Sequence, residues 1–302
     1  MKTPSAPSPF TTLPSATARR GVIVMILSVA AFTANTLLLR YLSGAERGLP
    51  PEVPLLFRAA VGMVLVFLVF RGRRPTRFLP VVREKLLILR GVTGLLGTAA
   101  YYWTVPTLGA GMATLICNTY VIFASIIAVL TLGERMTWMR FCWLSLAFVG
   151  IILLVGPCAD MGGFRLGANE IIALMGAMLA ASSVVLVRQL VAEHSIGTIY
   201  LAQCVWILVP VGFLAAPQLG ALNAGDFVLL LIAGTAAGFG QLAMNEGYRC
   251  LSVSAGASLQ MLWPVATAVG GWWWFGELLT GLQLAGAVLI LASIWRVSVG
   301  KA

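Results

Sequence analysis

The chain has 302 residues, of which 60% are hydrophobic and 10% charged, and its net charge is +10. A soluble domain is apolar over about half of its residues and charged over about a quarter, so this composition excludes an ordinary soluble protein. The basic residues lie in short connections between apolar runs, which is typical of membrane topology rather than of nucleic-acid binding. The five cysteines show no metal-ligand spacing, so no metal and no cofactor is expected.

Ten apolar stretches follow one another, each close to the twenty residues that a helix needs to cross a bilayer. The tail at residues 1–20, rich in Pro, Ser and Thr, is expected to be disordered and cytoplasmic. A cleavable signal ending at Val29-Ala30-Ala31 is the weaker alternative, because the apolar run continues through "NTLLLRYL". The sequence predicts an all-α integral membrane protein with ten transmembrane helices at 21–42, 54–70, 86–106, 109–131, 138–156, 169–190, 197–216, 226–248, 253–275 and 281–299.

The distribution of lysine and arginine predicts the orientation, because positively charged loops stay in the cytoplasm. With the amino terminus inside, 15 of the 20 basic residues fall on the inner side. Both termini of this multi-pass protein are therefore predicted to be cytoplasmic.

A short motif occurs twice. "GERMT" at 133–137 returns 143 residues later as "GELLT" at 276–280, and "LLLRYL" at 37–42 is answered by "VLVRQL" at 185–190. Five helices per half force the second copy to cross the membrane in the opposite sense. The sequence thus predicts two inverted five-helix repeats, residues 21–156 and 169–299, joined by a periplasmic linker at 157–168. Such symmetry permits alternating access around a site near the midplane.

These features resemble the EamA-type members of the drug/metabolite transporter superfamily over residues 20–299. The similarity includes Arg58 in "PLLFRAAVG", the Trp263-Pro264 step and "GYRCLSVSAGASLQMLWPV" before it. It implies a transporter of small organic solutes in the bacterial inner membrane, most often an exporter, with a cavity lined by helices one, three, four, six, eight and nine. Val121 stands where the second copy has Pro264. The sequence therefore leaves open whether both copies are kinked or only the second.

Deep polar residues are costly in lipid and are therefore candidates for a cavity. Arg58 either contacts an anionic substrate group or bonds structural carbonyls at a helix end, whereas Arg90 is predicted to be a snorkelling anchor. Gln241 and Asn245 are four residues apart and share a helix face. The repeat aligns Tyr120 with Trp263, and one or two of the aromatic residues at 101–103 are expected to face inward. The candidate substrate-binding residues are Asn118, Tyr120, Gln260, Trp263, Gln241, Asn245, Tyr101, Tyr102 and Arg58.

Four carboxylates are candidates for coupling or gating. Glu134 and Glu277 each precede a helix, where a carboxylate complements the helix dipole, and this structural role is favoured over gating. Glu246 is expected to pair with Arg249 three residues on. Glu170 lies near the start of helix six, and it and Glu246 are the carboxylates best placed to carry a proton.

The absence of HExxH, GxSxG and P-loop motifs predicts that the chain is not an enzyme. The predicted function is a secondary transporter that exports a small polar or zwitterionic metabolite, such as an amino acid, a derivative of one or a metallophore-like compound. Broad-specificity drug efflux is the alternative, and a channel or an importer is less favoured. The expected partners are a small-molecule substrate and the lipid bilayer. The sequence leaves open whether a proton or substrate is counter-transported, and whether the protein is a monomer or a homodimer. No nucleic acid is expected as a partner.

Overall fold

The structure, a computed structural model, describes residues 15–44, 47–70, 78–132, 138–155, 157–158, 163–164, 167–191, 193–251, 256 and 259–299. Most of these residues are helical. The helices are α1 (Ser15–Leu42), α2 (Glu52–Val69), α3 (Phe78–Arg83), α4 (Lys85–Leu108), α5 (Ala110–Asn118), α6 (Tyr120–Leu132), α7 (Trp138–Val155), α8 (Ala168–Leu190), α9 (Ile196–Leu219), α10 (Ala224–Cys250), α11 (Leu262–Phe275) and α12 (Gly281–Val299). Two short strands, β1 (Pro157–Cys158) and β2 (Gly163–Phe164), pair antiparallel within the predicted linker, whose other residues lie mostly outside the described ranges.

The predicted all-helical membrane architecture agrees with these elements, but the count of ten spans is not confirmed. Five described segments are long and apolar enough to cross a membrane: Ala18–Leu42, Glu52–Val69, Ala168–Val187, Ile196–Leu219 and Ala224–Cys250. Three apolar segments are shorter: Ala110–Ala124, Phe141–Leu154 and Gly281–Arg296. The short helix α3 was not predicted, and residues 15–20, predicted as part of the tail, belong to α1.

The fourth apolar run is divided into α5 and α6 by a turn at Thr119. The Thr119 hydroxyl donates to the carbonyl of Ile116 at 2.6 Å, and its backbone N–H reaches the same carbonyl at 3.1 Å. Back-bonding of this kind bends or interrupts a helix without proline. A turn at Met261 precedes α11 at a nearly equivalent position of the second copy. The interruption is therefore present in both copies, although only the second contains Pro264.

Two glycines let the chain turn where helices end. Gly109, between α4 and α5, has φ +83°, and Gly276, after α11, has φ +66°. Residues with a Cβ adopt such conformations with difficulty, so both positions favour glycine. The turn at Gly276 directs the following residue, Glu277, back toward Gly111 and Gly109.

Most contacts between helices have a counterpart that is made by the equivalent helices of the other half of the chain. α1 packs on α10 as α8 packs on α4, and α2 packs on α10 as α9 packs on α4. α11 contacts α1 as α5 and α6 contact α8, while α2 meets α9, α5 meets α11 and α7 meets α12. This bundle places a cavity between α1, α2, α4, α5, α6, α8, α9, α10 and α11.

Large apolar side chains cover the outside of the bundle. Phe213, Leu278 and Trp273 are each exposed over more than three quarters of their surface. An outer surface of this kind is stable against lipid and not against water. Inside, small residues allow close packing: a Cβ at Gly97 of α4 would lie 3.1 Å from the backbone nitrogen of Ala180 in α8.

Candidate functional site

A cavity of about 140 Å³ lies in the middle of the bundle. Every helix from α1 to α11 except α3 and α7 contributes to its wall. The six predicted lining helices correspond to α1, α4, α5 with α6, α8, α10 and α11, and the structure adds α2 and α9 to them. The lining residues on which the argument depends are Phe32, Arg58, Arg90, Thr98, Tyr101, Cys117, Tyr120, Ser183, Gln203, Gln241, Asn245, Tyr248, Gln260 and Trp263.

Two arginines dominate the polar part of the wall. Arg58 of α2 and Arg90 of α4 are only 7% and 4% exposed. Arg58 donates to Gln241 Oε1 at 3.2 Å, and its guanidinium lies over the rings of Tyr102 and Phe32 at 5.8 and 6.0 Å. All of these partners are neutral.

Arg90 is held by two polar groups from the second half of the chain. Its Nη1 donates to Ser183 Oγ at 2.6 Å and its Nη2 to Gln203 Oε1 at 3.0 Å. A Cβ at Gly94 would overlap with Nη1, so the glycine leaves the space that the guanidinium occupies. The prediction that Arg90 snorkels to a helix end is wrong. Because Gly94, one turn further along α4, has no side chain, the Arg90 side chain can turn toward the cavity.

Amide side chains extend the polar wall. Gln241 Nε2 donates to Asn245 Oδ1 at 3.3 Å, as their shared helix face predicted. Gln203 Nε2 donates to Thr98 Oγ1 at 3.0 Å. Gln241 and Thr98 are 143 residues apart, the separation of the two glycine–glutamate turns, so related positions of α4 and α10 both carry a polar group that bonds across to α9 or α2.

Aromatic rings form another part of the wall. Trp263 lies between Phe32 and Tyr101, with ring centroids 5.5 and 5.6 Å away. Tyr120 approaches Tyr248, their hydroxyl oxygens being 3.5 Å apart. Rings with polar edges suit a ligand that has both an apolar body and hydrogen-bonding groups.

Two layers of contacts separate the cavity from one end of the bundle, which we call the Arg40 end. Tyr101 links Thr36 and Thr114 through its hydroxyl, at 2.7 and 2.9 Å. One helical turn further along α1, Arg40 Nε donates to Glu277 Oε1 at 2.7 Å. The other oxygen of Glu277 accepts the backbone N–H of Gly111 at 3.3 Å. Glu277 therefore ties α1 and α5 to the turn after α11.

At the opposite end of the bundle, which we call the Arg20 end, Glu246 pairs with Arg249 at 2.8 Å, as predicted, and also with Arg20 at 3.0 Å. Glu170 lies in the first turn of α8, where its charge complements the helix dipole. Glu134 lies outside the described residues.

Seven predicted substrate residues line the cavity: Arg58, Tyr101, Tyr120, Gln241, Asn245, Gln260 and Trp263. Asn118 and Tyr102 do not, which corrects their placement. Each helical residue is turned by about 100° from the one before it, so Cys117 and Tyr101 take the wall positions. The hydroxyl of Tyr102 donates instead to Asn35 at 3.1 Å.

Sequence reasoning missed Ser183 and Gln203. Gln203 is an amide in the middle of the apolar run "YLAQCVWILV", and this signal is the same one that identified Gln241. Ser183 gave no comparable signal, since serine is common in membrane helices.

The fold and the cavity are those of a polytopic membrane transporter. The sequence pattern of the EamA-like transporter family matches residues 19–156 and again residues 168–299, so the chain belongs to this family. The predictions of family, of membrane transport and of a protein that is not an enzyme are confirmed by this membership.

Similar proteins carry several transport functions. The chain is 24% identical to the pseudopaline exporter CntI of Pseudomonas aeruginosa, over 91% of this chain and 94% of that exporter. It is 23% identical to the S-adenosylmethionine uptake transporter of Rickettsia bellii, over 90% of each chain. It is 26% identical to a probable amino-acid metabolite efflux pump of Salmonella typhimurium, over 72% of this chain and 77% of that pump.

A crystal structure of another protein superimposes with a TM-score of 0.64 at 15% identity, covering 92% of this chain and 96% of that one. A likeness at this identity shows a shared fold. The names of these relatives describe different compounds and both directions of transport, so the comparisons support a transporter without defining its substrate or direction.

Proposed function

We propose that this chain is a secondary transporter that exports a small polar or zwitterionic metabolite across the bacterial inner membrane by alternating access. The observation that carries the proposal is the central cavity, whose wall combines arginines, amides and aromatic rings from both halves of the chain. A site with a few converging polar groups among apolar walls is typical of small-molecule binding.

The architecture that supports this mechanism is ten spans in two inverted halves, residues 21–156 and 169–299, with the linker at 157–168. The exchange of packing partners between the halves and the double match to one family pattern support it. In this arrangement both termini are cytoplasmic, with the residues that precede α1, and the Arg40 end faces the periplasm. The two contact layers there would form the outer gate, which closes the cavity until substrate is released outward.

Export is favoured over import by the names of two relatives, an exporter and an efflux pump. Broad drug efflux is the second candidate, supported by the aromatic wall around Trp263. The buried arginines argue for a defined metabolite instead, because they would repel the lipophilic cations that many drugs are. As partners we propose only the substrate and the bilayer, with counter-transport of a proton or of substrate.

The experiment compares metabolites in cells and in medium for cells that express the wild type, the Gln260→Ala/Trp263→Ala variant or no transporter. One polar metabolite should move from cells to medium only with the wild type. Trp273→Ala is the matched control, because this tryptophan is 77% exposed on the outside of α11.

Accumulation inside the cells would show an importer. Release of many unrelated lipophilic compounds would favour drug efflux. An identical profile for all strains, with the protein present in the membrane, would contradict the proposal.

A further inference from the structure

The cavity contains two cations and no described acid. The described acidic residues all lie in loops or near helix ends and none lines the wall: Glu52, Glu84, Glu170, Glu193, Asp226, Glu246 and Glu277. Arg58 and Arg90 contact only neutral groups in the described part of the chain. A buried charge without a counter-ion is costly, and charged residues inside membrane proteins typically mark a ligand pathway.

The hydrogen-bonding groups of the wall also favour an anion, because donors without an acceptor remain. Among the described lining residues, three buried donors have no acceptor: Arg90 Nε, Asn245 Nδ2 and Trp263 Nε1. The orientation of the Asn245 amide is set by the bond that its oxygen accepts from Gln241. All three atoms carry hydrogen, so the cavity lacks acceptors rather than donors.

The two arginines are held separately. Arg58 is fixed between α2 and α10 through Gln241, and Arg90 is fixed between α4, α8 and α9 through Ser183 and Gln203. Neutral partners bind a guanidinium more weakly than an anion does, so two anionic groups can replace them one at a time. Five donors in a planar fork suit a carboxylate or a phosphate group.

We infer that the substrate carries two anionic groups and a net negative charge, with one group bound by Arg58 and the other by Arg90. This inference rests on the proposed role of the cavity as the substrate site. It narrows the class of small polar metabolites to dianions and excludes a neutral zwitterion. Asn245 and Trp263 supply the remaining donors. An amino group is compatible only when the acidic groups outnumber it, because the described wall offers no carboxylate to bind it.

The test is the thermal unfolding of the purified full-length protein in detergent at constant ionic strength. One arm compares succinate, glutarate and adipate with their monoamides, which have the same length and one charge fewer. The second arm compares methyl phosphate with dimethyl phosphate. Both charges of methyl phosphate lie on one group, so a shift in this arm alone would contradict the binding of two separate groups. At ten times its dissociation constant, the bound dianion should raise the midpoint by about 2–4 °C, and its partner should have little effect.

Arg58→Gln and Arg90→Gln should each remove the difference between dianion and partner. Arg83→Gln, an exposed position of α3, should keep it. If the glutamine variants do not accumulate, Gly94→Ala takes their place, because it displaces the Arg90 guanidinium without removing its charge. The comparison of each dianion with its singly charged partner in the wild-type protein needs no variant.

Equal shifts for dianion and partner, or no shift in either arm, would overturn the inference. So would a dianion effect that persists in both arginine variants. Failure of the proposed transport function looks different: the dianion stabilises the protein through its arginines, yet cells with and without the protein release the same metabolites. An exported metabolite with fewer than two acidic groups would leave transport standing and refute the dianion.

Discussion

Replacing Glu277 by glutamine removes the ion pair with Arg40, which we propose as part of the outer gate. The pair consists of one direct bond of 2.7 Å between side chains that are 26% and 20% exposed. Hydrogen bonds to charged groups contribute about 1.5–3 kcal/mol when buried. Partial exposure reduces this to about 1 kcal/mol. Because the proposed opening breaks this pair, a loss of this size should increase the population open at the Arg40 end about fivefold.

The rate at which the native Cys117 is labelled measures this opening. It lines the cavity one helical turn below Thr114, beneath both contact layers. A membrane-impermeant maleimide is added to intact cells, and labelling at Cys117 is followed by mass spectrometry of its peptide. Glu277→Gln should be labelled about five times faster than the wild type, if the Arg40 end faces outward.

The matched control is Glu52→Gln, which removes the same charge at the start of α2 and leaves the ion pair intact. Arg40→Lys should give an intermediate rate, because lysine keeps the charge but not the planar fork that also reaches the Pro106 carbonyl. Unchanged labelling of Cys117 in Glu277→Gln would refute the argument that this pair holds the end closed.

Three further outcomes follow from contacts elsewhere in the bundle. Gly94→Ala places a methyl group where Arg90 Nη1 lies, so it should lower transport at least tenfold while the yield of folded protein changes little. Asn118→Leu removes a buried amide whose atoms have no described partner, and should raise the free energy of unfolding by about 1 kcal/mol, seen as a higher thermal midpoint. A lower midpoint would show that the amide is bonded. Glu246→Gln should change the transport rate less than twofold and leave its uncoupler sensitivity unaltered, because the carboxylate is held by Arg249 and Arg20; lost sensitivity would instead favour a proton-carrying role.

The positions of the long helices could be predicted from the sequence because apolar runs of membrane length have few alternative structures. The repeat of the glycine–glutamate turn also indicated the family. The short helix α3 was missed since six residues carry no measurable periodicity. The break at Thr119 depends on a bond from a side chain to its own helix, which threonine makes in only some contexts.

The cavity wall could be predicted in part. Polar residues in the middle of apolar runs, such as Gln241 and Gln260, were found because lipid excludes them. Which of two neighbours faces inward was not predictable, as Cys117 and Asn118 show, since it depends on the rotation of one short helix. The direction of Arg90 depends on the space left by Gly94 and on acceptors from α8 and α9, which are distant in sequence.

Counterflow in proteoliposomes tests the account most directly. Vesicles containing purified protein are loaded with the metabolite that appears in the medium of expressing cells, and uptake of the labelled compound is measured with and without this internal load. The account predicts saturable uptake that the internal load accelerates and that Gln260→Ala/Trp263→Ala abolishes. Uptake that rises linearly with concentration and ignores the internal load would show a channel and contradict alternating access through this cavity.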